Sequence, residues 1–469
     1  MTETKFINIF NSLNINEKRK LRKWMNLKFV NKTDDIYTFF IFIDTRKIIT
    51  EETVSKQKIH DYIYKSKPYN DLRIRHLIWL LTEIMEEFII FLSLEVHPDY
   101  KSQLLTNFYL NKDLLLFADK NIELAIKQSE KEVKINADYY HRQYNLNMMH
   151  YDINARNDRS KEYRINESIA SFTSYTIIEV LKMNSIVNTI QNVMELKSEQ
   201  PLLNAILEIV PNSKFIELPI IRIYYNLYLI TSKDDLNAFE EFMKDIKLHE
   251  HLFSYHDQNN LYRSVINFCI KKHNQNNLYF SKHAFELYLY TIENNILVEN
   301  NEINRFIFTN TITIGIKLKE LKKIEHFIAD YSHLINTDYK ENTLHYNTAK
   351  LHYAKNNLDD ALKILLTIEF KDTIWNLNAK FIILKILFDQ NNTDLLVQHL
   401  KAFKKYIKSK TNIGYHRTYF TKVCEAFSTL INIQSNPKKY KDFAFDSTTP
   451  DFDWFNKMLK DMQTKKAPK

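Results

Sequence analysis

Glycine is almost missing from this chain. Two glycines, Gly315 and Gly414, stand among 469 residues, where average usage near 7% would give roughly thirty. Glycine supplies the positive-φ corners of tight turns and the phosphate-cradling loops of nucleotide folds, so the shortage argues against Rossmann, P-loop and glycine-rich kinase sites. Proline is absent between Pro219 and Pro437, which leaves that whole span free of the ring that breaks helices. The only cysteines, Cys269 and Cys424, form no CxxC pair and sit in apolar segments. They read as buried thiols of a reducing compartment. The opening MTETKFINIFNSL lacks a basic stretch followed by an unbroken apolar run, so no signal peptide is expected. The most apolar window, Leu77 to Leu94, is interrupted by Glu83, Glu86 and Glu87. Three carboxylates at bilayer depth are very costly, and the segment reads as a core helix. A cytoplasmic protein is the expectation.

What is present fits an all-helical chain with polar, Asn-rich turns. Hydrophobic residues make up 45% and charged residues 26%, enough apolar surface to bury a core and too much for disorder. A net charge of +8 over this length is a mild excess that permits anionic partners without demanding them.

The clearest internal pattern is a repeat pair over residues 342–406. Adding 35 carries Lys350 to Lys385, Leu351 to Ile386, Tyr353 to Phe388, Asn356-Asn357 to Asn391-Asn392, Asp359 to Asp394 and Leu365 to Leu400. Each copy is an apolar helix, a short Asn-Asn turn and an amphipathic second helix. A period in the mid-thirties built of two helices marks a helical solenoid. Subtracting 34 carries Ala349 to Gly315 and Leu358 to Ile324, which adds a third copy, and from Ile216 onward further two-helix units precede it. The chain then breaks at SNPKKYKD and closes with a short helix from Pro450, capped by Thr449. Trp454, Phe455, Met458 and Leu459 share one face of it, as expected of a helix that covers the end of a repeat stack.

Upstream, residues 1–95 read as a small bundle. A helix opens near Asn14, with Glu17 completing a capping box; Leu21, Trp24, Met25 and Phe29 form its apolar stripe, opposite Lys18, Arg19, Arg22 and Lys23. IYTFFIFI is compatible with helix or strand. Four parts result: a bundle over 1–95, a connecting helical region over 96–215, repeats over 216–434, and a terminal helix and tail over 435–469.

The stretch from Ala349 to Leu365 resembles the tetratricopeptide repeat. Ala349 stands at the small position of the first helix, Asn356-Asn357-Leu358 matches the turn, and Ala361 and Leu365 match the packing positions of the second helix. His345 replaces the usual Trp or Leu, Ile368 the last alanine, and Phe327 and Leu396 the key alanine of neighbouring copies, which implies wider helix spacing there. The whole chain also resembles a group of uncharacterised helical-repeat proteins of Bacteroidota, through NEKRKLRKWMNLKFVN, SYTIIEVLKMN and the pair at Asp453-Trp454-Phe455. That resemblance implies no activity.

In tetratricopeptide-like stacks the first helix of each pair faces the groove. By repeat position Lys350, Tyr353, Lys385 and Phe388 are the candidate peptide-binding residues, lysines for carboxylates and rings for apolar side chains; ordinary helix packing is the competing reading. Lys18, Arg19, Arg22 and Lys23 are the candidates for nucleic-acid contact, against a plain solvated helix face. His249, His251, His141 and His150 have no metal-ligand spacing and read as structural or surface residues, so no metal or cofactor is expected. Asp99 and the Asp451/Asp453/Lys457 set lack the strands a nuclease site needs and read as helix-start residues. The expectation is therefore a non-catalytic protein- or peptide-binding scaffold whose partner carries acidic groups. The alternatives are a nucleic-acid-binding regulator using the basic bundle, with the repeats as sensor, and an enzyme with an unrecognised site.

Overall fold

The computed structural model describes residues 3–27, 33–46, 49–65, 67–156, 160–191, 198–368, 370, 372–411, 413–436 and 443–464. The chain is all-α, and the described residues form twenty-two α-helices and one two-stranded hairpin. None of these helices is long and apolar enough to cross a membrane. Contacts divide the chain into two compact units, Met1–Glu179 and Val180–Lys469.

The first unit holds α1 (Lys5–Ser12), α2 (Ile15–Met25), α3 (Asp34–Asp44), α4 (Lys56–Tyr64), α5 (Asp71–Val96), α6 (Pro98–Asn111), α7 (Leu115–Ser129), α8 (Ala137–Asn154) and the start of α9 (Ile165–Gln191). At the start of α2, Asn14 Oδ1 accepts from the backbone of Asn16 and Glu17, and Glu17 returns a bond to the Asn14 amide. That is the capping box written in the sequence. A helix the sequence reading did not assign, α1, precedes it and buries Phe6, Ile7 and Phe10. IYTFFIFI is helical, part of α3, because Ile36, Phe39, Phe40 and Ile43 then share the face that meets α4 and α5. Leu21 and Met25 are buried and Trp24 packs on Phe88 and Phe91; Phe29 lies outside the described residues, as does KKYKD.

Helix α6 turns polar side chains inward over most of its length: Asn121 donates to Thr106 Oγ1 and to the Ser102 carbonyl, both at 2.8 Å, and Asp99 pairs with Arg142 at 3.3 Å. Near its end Tyr109 and Leu110 pack on the apolar cluster of α7 and α8. Leu104 and Phe108 face outward, each more than half exposed.

The second unit takes the rest of α9 and continues with α10 (Leu203–Ile209), α11 (Pro219–Lys233), α12 (Leu236–His249), α13 (Tyr255–Asn274), α14 (Leu278–Glu293), α15 (Arg305–Lys317), α16 (Leu321–Tyr331), α17 (Thr337–Ala354), α18 (Leu358–Thr367), α19 (Thr373–Asp389), α20 (Thr393–Ser409), α21 (His416–Ser435) and α22 (Phe452–Thr464). From α11 to α20 the helices pack as five sequential pairs, and α11 also lies on α13, α15 on α17, α17 on α19, and α19 on α21. The pairs coincide with the two-helix units read from the sequence. Between α14 and α15 runs a hairpin of β1 (Val298–Glu299) and β2 (Glu302–Ile303), turned by Asn300 and Asn301 at φ 53° and 62°. Both corner residues at positive φ define a two-residue turn of the kind that matches strand twist.

The corner between paired helices is the same in all five. Asp234, Asn276, Lys319, Asn356 and Asn391 adopt left-handed φ of 54° to 65°. In four of the five the following residue sends its amide back five positions, as from Asn277 to Lys272, Asn357 to His352 and Asn392 to Leu387, at 2.9–3.1 Å; Asp235 reaches back six, to Leu229, at 3.3 Å. These bonds satisfy helix-end carbonyls that otherwise have no partner. In three corners that second residue also caps the next helix: Asp235, Asn277 and Asn392 each accept from its first amides. Asparagine and aspartate tolerate the left-handed region by bonding locally, so they fill the role that the absent glycines would have taken.

Two stability outcomes follow. Lys319→Asn places a tolerant residue at a left-handed corner and should raise stability by about 0.5–1 kcal/mol, whereas Asn391→Ala should lower it by about 1 kcal/mol. Gly315 sits where an added Cβ would collide with Ile324 and lie 2.8 Å from Phe285. Gly315→Ala should cost about 1–3 kcal/mol despite its better helix propensity. Urea midpoints for the three variants check this, and an unchanged midpoint for Gly315→Ala would contradict the α15–α16 packing.

Candidate functional site

The repeat period places Lys350 and Tyr353 on α17 and Lys385 and Phe388 on α19, at equivalent positions of neighbouring first helices. Three of the four meet in one cluster, and its other half comes from the C-terminal segment. Lys385 Nζ pairs with Asp451 Oδ2 at 2.7 Å and stands 5.1–5.5 Å from the ring centres of Tyr353, Phe381 and Trp454. Tyr353 donates its hydroxyl proton to Asp389 Oδ2 at 2.7 Å and accepts from Trp454 Nε1 at 3.0 Å. Phe388 is buried, edge-on to Trp454 and Phe427. Phe455, fully buried, stacks on Phe381 and packs edge-on to Phe427.

Helix α22 and the turn before it thus pack on α17, α19 and α21 through three of the four residues that the repeat period singles out. It begins at Phe452, two residues after Pro450, because Asp451 turns the chain at φ 53° before it. Phe455 and Leu459 are its buried anchors, with Trp454 and Met458 half-buried beside them. The sequence reading found that apolar face but not the reach of Trp454 to Tyr353, a hundred residues away. It also missed Asp389 and Asp451 as partners. The signal for Asp451 was slight: an acidic residue three positions before an aromatic pair, at a helix start; Asp389, the last residue of α19, gave none.

Burial sets the electrostatics here. It drives the Tyr353 phenol far above its ordinary value, reinforced by the Asp389 carboxylate, so Tyr353 keeps its proton and acts as donor. Burial also raises Asp389, against the pull of the Tyr353 bond and the charges of Lys385 and Lys457. Lys350 lies apart from the cluster, bonded to Thr313 Oγ1 on α15 and 5.4 Å from the Tyr346 ring centre. Its burial, with the like charge of Lys385 nearby, brings its amine down to about 7.

The basic positions of α2 are partly engaged. Arg22 grips Asp44 with two bonds of 2.6 and 3.1 Å and Lys18 lies over Phe10, while Arg19 and Lys23 are exposed. The rings of His249 and His251 are 6.4 Å apart, and His141 stacks on Tyr175. Both cysteines are buried, and burial raises their thiols, Cys424 to about 12; neither is poised as a nucleophile.

Lys350 gives a pH signature. An unfolded chain holds its amine near 10.5, the native state near 7. Between those values the unfolded state binds the additional proton, so native stability rises with pH across the window and the penalty is fully present below it. Lys350→Met should therefore be more stable than the unsubstituted protein at pH 7, by about 1–3 kcal/mol, with the difference shrinking at pH 9.5. A difference of equal size at both pH values in urea titrations would show the amine to be solvated.

The chain matches no family model, and comparisons with curated proteins and with solved structures find no similar protein.

Proposed function

We propose that this chain is a non-catalytic protein- or peptide-binding scaffold, a tetratricopeptide-like stack whose first-helix face from α17 to α21 receives an amphipathic helix carrying a carboxylate and large aromatic side chains. The observation that supports this reading is the manner in which α22 is held. A single lysine on α19 takes its carboxylate and lies against its indole, a tyrosine–aspartate pair orients that indole, and an aromatic floor of Phe381, Phe388 and Phe427 takes the rings. An ion pair, an oriented donor and an apolar pocket are the components of helix-in-groove recognition. They are chemically selective: a partner must bring an acidic group one turn ahead of a Trp-Phe pair. On this reading α22 is the resident occupant, and a partner of the same chemistry competes with it.

The basic N-terminal helix gives weaker support to a nucleic-acid role. Arg22 is committed to Asp44 and the neighbouring Lys20 to Glu95, which lowers the charge this helix offers a phosphate backbone, while Arg19 and Lys23 are exposed.

The test uses the full chain and a fluorescent synthetic peptide spanning residues 446–464. In the variant Asp451→Ala/Trp454→Ala the resident segment is weakened while the face is intact. This variant should bind the peptide at least about tenfold more tightly than the unsubstituted chain, the scale of one lost ion pair or ring contact. A peptide with the same two alanines should not bind. Equal affinity for both proteins, or for both peptides, would sink the proposal.

A further inference from the structure

The first unit brings together three metal-ligating side chains that the sequence does not place side by side. Asp119 and Glu123 are four residues apart on α7 and so stand one above the other on one helix face. His150 comes from α8, which packs along α7. One donor atom from each lies within 4.8 Å of the other two, the one such grouping among the described residues. A cavity of about 320 Å³ opens beside them, lined by Glu123, Ile126, Lys127, Glu130, His150 and Arg164.

Two further features set this cluster apart from a chance meeting of polar side chains. The Nδ1 atom of His150 is buried and has no hydrogen-bond partner, a cost that a buried polar atom avoids when something can pair with it. Asp119 is held in place: Asn154, one turn beyond His150, donates from its amide to Asp119 Oδ1 at 3.0 Å and to the His150 carbonyl at 3.0 Å. An outer partner that aims a carboxylate inward is the usual support of a metal ligand. The local cations do not supply the missing charge. Lys127 reaches Glu123 only at 3.9 Å with both side chains exposed, and Arg164 is taken by Glu130 and Asn147, each at 2.9 Å.

We propose that Asp119, Glu123 and His150 form a binding site for a divalent transition metal of the Zn²⁺ type. The donor set decides the class. One imidazole with two carboxylates suits borderline ions, whereas Mg²⁺ and Ca²⁺ take all-oxygen shells. Bonds of about 2.0–2.2 Å put tetrahedral donors roughly 3.4 Å apart, so the ligands close in by rotation of side chains, chiefly the exposed Glu123. Three protein donors leave the fourth position to solvent on the cavity side. The ion would tie α7 to α8, give His150 a partner and place positive charge between the two carboxylates. The site is independent of the peptide-binding face and stands or falls separately from it.

The experiment is a calorimetric titration of the metal-free full chain with ZnCl₂ at pH 7.5. One ion per chain should bind, with a Kd in the micromolar range or tighter. Asp119→Asn and Glu123→Gln, which keep shape and fold, should each weaken binding at least tenfold, as should His150→Ala. His249→Ala/His251→Ala should leave it unchanged. At pH 5.5 binding should fall, because protons compete with the metal for its ligands. MgCl₂ at the same concentration should give no heat. Absence of a Zn²⁺ site, equal affinity in the Asp119 and Glu123 variants, or loss only in the His249/His251 variant would overturn the assignment.

Discussion

Everything in the second unit depends on how a helix reverses direction without glycine. An antiparallel helix pair needs a residue in left-handed backbone at its corner, and an ordinary side chain there strains against its own carbonyl. This chain meets that requirement with Asp234, Asn276, Asn356 and Asn391, and once with Lys319. The short polar side chains relieve the strain locally, and in three corners the next residue caps the following helix. A two-residue turn therefore ends one helix and starts another. With the turn fixed, the pair buries one stripe internally and must place the other against its neighbour. The contacts of α11 with α13 and of α15, α17, α19 and α21 in succession meet that need.

The same logic explains why α22 is held where it is. The last pairs leave an apolar side formed by Phe381, Phe388 and Phe427, and an uncovered side of that size is costly in water. Phe455 and Leu459 cover it. The polar contacts around them add direction: Lys385 with Asp451, and Trp454 with Tyr353 and Asp389. Apolar burial gives most of the attraction, while the ion pair and the oriented indole specify which helix fits and in which register. The proposal that this face receives a partner of like chemistry rests on the selectivity of this intramolecular contact.

The first unit uses polar groups differently. In α6 the inward side carries Asp99, Ser102 and Thr106, matched by Arg142 and Asn121, while Leu104 and Phe108 look outward and only Tyr109 and Leu110 near its end join the apolar core. A helical-periodicity reading would have turned this helix the other way, since it assumes that the apolar stripe is the buried one. The arrangement holds because the polar atoms are paired, which removes the cost of burying them.

How much was legible follows from the range of each interaction. The Asn14–Glu17 capping box, the Asn-Asn corners, the helix pairs from α11 to α20 and the apolar face of Trp454, Phe455, Met458 and Leu459 all depend on residues within a few turns of one another, so the sequence alone determined them. It also determined the all-α class, through the near absence of glycine and the long proline-free span. Among the local features that escaped are α1 and α10, whose eight and seven residues are short for a periodicity argument, the break between α6 and α7, and the hairpin at Val298–Ile303, whose strands of two residues carry no alternation. What only the tertiary structure decided was which faces meet. Trp454 finds Tyr353, Lys385 finds Asp451, and His150 finds Asp119 across helices, because packing angles and the sum of many small side-chain fits set those meetings, and no single segment encodes them.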